Sequence, residues 1–107
     1  MTKPTRPQKT DSVFTKRLRI KNSQGLHARP AALFVQVANR FQSAIRVRKG
    51  RREVDGKSIM GILTLAAERG SFIEVTTEGS DAKEALHALG VLLSRTELPA
   101  VVHVVKH

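Results

Sequence analysis

The stretch Gly25-Leu26-His27-Ala28-Arg29-Pro30-Ala31-Ala32 stands where the sequence changes its period. Before it, Val13 to Lys21 alternates. Leu18 and Ile20 share one face, and Arg17, Arg19 and Lys21 take the other, which predicts a half-buried strand. After it, from Ala28 to about Phe41, the residues Pro30, Leu33, Phe34, Val37, Ala38 and Phe41 recur at helical spacing. A strand therefore runs through the turn-rich loop Asn22-Ser23-Gln24-Gly25 into a long amphipathic helix, with His27 at its start. Pro30 fits in the first turn, because N–H groups there have no intrahelical partner and the fixed φ of proline already suits a helix.

The rest of the chain supplies a sheet for that helix to cover. Ala44 to Lys49 alternates with Ile45 and Val47 inward, Gly50 permits a tight turn, and Arg52 to Asp55 returns with Val54 inward. This predicts a hairpin, and its outward arginines predict a basic outer face. Ser58 is a suitable N-cap for a short apolar helix ending near Gly70. Ser71 to Glu78 is a further strand with Ile73 and Val75 on one face. Asp81 and Glu84 match a D-x-x-E capping box ahead of the stripe Ala85, Leu86, Leu89, Leu92 and Leu93. The order β-α-β-β-α-β-α predicts an α+β fold, an open-faced sandwich whose four-stranded antiparallel sheet is covered on one face by helices.

With 107 residues the chain suffices for one domain. Residues 1–12 read as a basic, Pro-containing arm without the apolar core of a secretory signal, 13–95 as the domain, and 96–107 as a Val-rich tail. That tail could add an edge strand, cover a groove or pair with another chain. No apolar run approaches the length needed to span a bilayer, so membrane insertion is not expected. The absence of cysteine excludes a disulfide framework and thiolate metal sites, and is compatible with the cytoplasm. His87, His103 and His107 form no recognisable metal set, so neither metal nor cofactor is expected.

The net charge of +10, from 19 Lys and Arg against 9 Asp and Glu, points to a polyanion or an acidic protein surface as partner. The chain has four Phe and neither Trp nor Tyr, which leaves few platforms for stacking bases and argues against nucleic acid. Gly50 to Ser58 imitates a phosphate-binding loop, G-x-x-x-x-G-K-[ST]. However, five residues lie between its glycines, where four are required, and they read as a strand.

A helix start offers unbonded N–H groups and a positive dipole end, both of which favour anions. A neutral imidazole there, beside Arg29, suits a nucleophile for a phosphoryl group. Taken alone, a histidine at a helix start is more often a surface or capping residue. A second motif raises the functional reading.

Gly25-Leu26-His27-Ala28-Arg29-Pro30 resembles the active-site signature of the HPr family, the histidine-containing phosphocarriers of the bacterial sugar phosphotransferase system. Lys57-Ser58-Ile59-Met60-Gly61 resembles that family's second signature, around a regulatory serine, and the spacing between the two is kept. The resemblance covers about Phe14 to Ser94. It implies that His27 accepts a phosphoryl group on Nδ1 from enzyme I and passes it to the A component of a sugar permease, with Arg29 steadying the charge. It implies that Ser58 is the target of HPr kinase/phosphorylase. Lys57, Ile59, Met60, Ile62 and Leu63 would then form a docking surface beside His27. The protein would be a cytoplasmic, monomeric carrier, not an enzyme. The alternative within the family is a regulatory paralogue serving carbon or nitrogen control.

Overall fold

The computed structural model describes residues 12–95; residues 1–11 and 96–107, and the expectations for the arm and the tail, lie outside them. The elements are β1 (Ser12–Arg19), α1 (Ala28–Ala38), β2 (Ala44–Lys49), β3 (Arg52–Asp55), α2 (Ile59–Leu65), β4 (Phe72–Gly79) and α3 (Ala82–Leu93). Ser12, assigned from sequence to the arm, is the first residue of β1. The sheet is antiparallel with strand order β1-β4-β2-β3. Its alternation places Ile45, Val47, Ile73 and Val75 under the helices, each almost fully buried. The predicted stripe of α1 is buried throughout, and Phe41 remains buried in the turn beyond the helix end. Fully burying a side chain of the size of Phe34 or Leu89 contributes about 1.5–3 kcal/mol each, and such residues form one continuous core.

Three local expectations are corrected. The first is the basic outer face. Arg46 pairs with Glu53 at 3.0 Å and with Glu78 at 3.6 Å, and Arg48 pairs with Glu74. Register explains it: β4 sits between β1 and β2 and brings Glu74 opposite Arg48 and Thr76 opposite Arg46, so the hairpin arginines meet carboxylates. These exposed pairs are worth at most about 1 kcal/mol each, but they offset the charge of Arg46 and Arg48, while Arg51 and Arg52 remain exposed.

The second is the end of α2, which stops at Leu65 and not near Gly70. Ala66 takes the left-handed conformation, with φ 50° and ψ 41°, and closes the helix. Alanine pays a steric cost there that glycine does not. Ala66→Gly is therefore expected to stabilise the protein by about 0.5–1 kcal/mol after the entropy of the unfolded glycine is counted, read as a rise in the urea midpoint.

The third is the capping box. Asp81 occupies the N-cap position of α3 but makes no side-chain cap bond. Its carboxylate instead accepts from the Gln42 N–H at 2.9 Å, the Ser43 N–H at 2.9 Å and the Ser43 hydroxyl at 2.5 Å. The acid thereby ties the turn after α1 to the start of α3. Gly79, at φ 149°, admits this approach, since a Cβ there would lie 2.6 Å from the Ser43 hydroxyl. Burial alone would raise the Asp81 pKa. The bonds from Ser43 and Gln42 outweigh it and hold the carboxyl below its ordinary 3.8. A depressed carboxyl contributes stability above its unfolded pKa and loses it as pH falls through the folded one. Asp81→Asn is expected to cost about 1–2 kcal/mol at neutral pH. The gap between the variant and the parent should narrow below about pH 4 in acid-unfolding curves.

Candidate functional site

His27 is the N-cap residue of α1, with extended backbone and an exposed side chain that makes no cap hydrogen bond. Its carbonyl accepts the Ala31 N–H at 2.7 Å, so the helix begins there without help from the imidazole. The first turn holds no acidic residue, and Arg29 is exposed at its second position. A positive helix end is thus left beside an outward-facing imidazole.

The loop that carries His27 is held from two sides. Asn22, only 3% exposed, is folded into its own turn. Its Nδ2 donates to the Gly25 carbonyl at 3.2 Å, and its Oδ1 accepts the Gln24 N–H at 2.9 Å. The loop also leans on the segment after α2: the Leu26 N–H donates to the Ala67 carbonyl at 2.8 Å. Gly25 has φ 66°, and a Cβ on it would lie 2.6 Å from that same carbonyl oxygen. The left-handed Ala66 comes immediately before Ala67 and turns the chain at that point. Strain at one residue thus coincides with the contact that orients the histidine loop. Sequence reading saw Asn22 and Gly25 only as turn formers and had no signal for Ala66, because alanine rarely adopts that conformation.

Ser58 is the N-cap of α2, as expected, and its hydroxyl accepts the Gly61 N–H at 3.0 Å. His27 and Ser58 are anchored to opposite ends of α2. The histidine loop contacts the residues just after α2, whereas Ser58 precedes it, and seven helical residues rise about 10 Å between them.

The expected docking residues divide. Met60 is 66% exposed and Ile59 39%, both in the first turn of α2, next to Ser58. Ile62 is a correction: it is wholly buried in the core because α2 turns it inward under the sheet's β3 edge, and it offers nothing to a partner. Leu63 is half-buried. The Lys57 ammonium donates to the Phe41 carbonyl at 2.7 Å, so it joins the turn after α1 to the start of α2.

Residues 14–95 match the family model described as the PTS HPr component phosphorylation site. The chain belongs to the HPr family. It is 46% identical over 77 residues to the phosphocarrier protein HPr of Neisseria meningitidis, covering 72% of this chain and 86% of that protein. It is 53% identical over 74 residues to the HPr-like protein Crh of Halalkalibacterium halodurans, covering 69% of this chain and 88% of that one. Among solved structures, an HPr from Bacillus anthracis is 54% identical with a TM-score of 0.73, over 75% of this chain and 95% of that chain. HPr membership makes this a phosphocarrier-type domain rather than a catalyst with its own turnover. Among the described residues, no group of His, Asp and Glu is arranged to hold a metal ion, and no helix is long and apolar enough to cross a membrane.

Proposed function

We infer that the protein carries a phosphoryl group on His27 between enzyme I and the A components of sugar permeases in the cytoplasm. The observation that carries this reading is the uncapped, exposed His27 at the unneutralised start of α1. In each transfer an imidazole lone pair attacks phosphorus, the N–P bond forms, and the bond to the donor breaks. The reverse displacement delivers the group to the acceptor. Helix N–H groups and the Arg29 guanidinium offset the charge on the phosphoryl oxygens. The site is open and holds the group without enclosing it, which suits an intermediate that must leave again.

Ser58 is the regulatory position in this reading. Phosphate there retains an acceptor for the Gly61 N–H and gains from the helix end, so α2 stays folded. The added negative charge lies beside the exposed Ile59 and Met60, where it would oppose docking of an acidic partner. The similarity to Crh supports a second reading, a regulatory paralogue controlling carbon or nitrogen metabolism.

Incubation with enzyme I and phosphoenolpyruvate, followed by mass analysis, is the test. A single acid-labile phosphate supports the carrier role. No label from enzyme I, together with an acid-stable phosphate from HPr kinase and ATP that is lost in Ser58→Ala, would replace it with the regulatory role.

A further inference from the structure

We propose that the groove between β1 and α3 is a docking site for an acidic, extended segment of a partner protein, separate from the His27 and Ser58 surfaces. The groove has a volume of about 650 Å³. Its apolar floor includes Phe14, Leu18, Leu86 and Leu93, and its rim carries Lys16, Arg17, Arg19, Lys21 and Lys83. None of its lining residues is acidic. The five rim cations are exposed and have no ion pair among the described residues, in contrast to Arg46 and Arg48 on the same sheet. Arg17 and Arg19 instead lie over the ring of Phe72, 4.0 and 5.9 Å from its centre, and Phe72 is itself 43% exposed. A net-positive protein gains nothing for its own stability from five unpaired cations around an apolar slot. An acidic partner supplies the missing charge.

The geometry specifies an extended segment. β1 is an edge strand that pairs only with β4 among the described strands, so one side of its backbone is open along the groove. A strand added there would gain main-chain hydrogen bonds, with alternate side chains over the apolar floor and toward the arginines. A second copy of β1 is disfavoured, because it would set Lys16, Arg17 and Arg19 against their own counterparts. Nucleic acid would meet the charges but leave the floor and the open backbone unused.

The probe is a fluorescein-labelled ten-residue peptide alternating Glu and Val, titrated against the full-length protein by anisotropy and mapped by amide chemical shifts. Binding should perturb residues 14–21 and 83–94, and Lys16→Glu combined with Lys83→Glu should weaken it by about tenfold or more. Both residues are exposed, so the double variant should keep the parent's dispersed spectrum. Four results would each overturn the proposal: unchanged affinity in the double variant, perturbations centred on His27 or Ser58, equal binding of a peptide with its five Glu and five Val in separate blocks, or tighter binding of a 20-nucleotide single strand. Contacts between the Val101–Val105 methyls and Phe14 or Leu86 in the free protein would assign the groove to the chain's own tail and equally exclude a partner.

Discussion

Replacing His27 by Ala is expected to abolish any acid-labile phosphate gained on incubation with enzyme I and phosphoenolpyruvate, the label that the proposed carrier role requires, while the fold stands. The first half follows from chemistry: alanine has no lone pair to attack phosphorus, and a stoichiometric acceptor has no residual pathway. The second half follows from the cap. The His27 side chain makes no hydrogen bond to the helix, so its removal orphans no donor, and the stability change should stay within about 0.5 kcal/mol. Arg29→Ala gives the graded counterpart. Losing one charge-assisted contact to the phosphoryl oxygens, about 1.5–3 kcal/mol, should slow transfer about ten- to a hundredfold without removing the acceptor. Full labelling of the His27→Ala protein would sink the carrier assignment. An unfolded His27→Ala protein would show that the imidazole has a structural duty the hydrogen bonds do not reveal.

Gly25→Ala should produce the largest loss of stability among these substitutions, about 2–4 kcal/mol. The left-handed φ of 66° costs alanine about 1 kcal/mol or more. The added methyl meets the Ala67 carbonyl oxygen at 2.6 Å and the Glu68 Cα at 3.0 Å. Both are backbone atoms that cannot rotate away, so relief requires separating the histidine loop from the segment after α2, at a further cost of about 1–3 kcal/mol. That separation would break the Leu26 to Ala67 hydrogen bond and turn the start of α1. Labelling by enzyme I should therefore slow even at temperatures where the variant is fully folded. Urea unfolding measures the first effect and initial labelling rates the second. Parent-like values in both would show that the loop is not seated as described.

The two long helices and the hairpin were legible in the sequence because their signal is local. A stripe at three- and four-residue spacing, or strict alternation around Gly50, needs no knowledge of distant residues. The helix starts at His27 and Ser58 were legible for the same reason, each lying inside a short local motif. What could not be read is what distant segments supply. Asp81 looked like a cap because Glu84 follows it, but the N–H groups of Gln42 and Ser43 are stronger claimants. Arg46 and Arg48 looked unopposed because two of their three carboxylates, Glu74 and Glu78, come from β4 and only Glu53 from the hairpin itself. Ile62 looked available because a seven-residue helix has too few turns to show which face is inward.

The strand order carries a consequence for how the protein comes into being. β4, the next-to-last element made, sits between β1 and β2, and Thr15 bonds Thr76 across a separation of 61 residues. A chain emerging from the ribosome therefore displays His27 early but lacks the residues 66–71 against which its loop rests. Local helices can form at once, whereas the long-range pairing waits for the closing strand. A chain broken off before β4 would carry the histidine without its setting. Under the proposed carrier role, competence to accept a phosphoryl group is therefore expected only once β4 has joined the sheet.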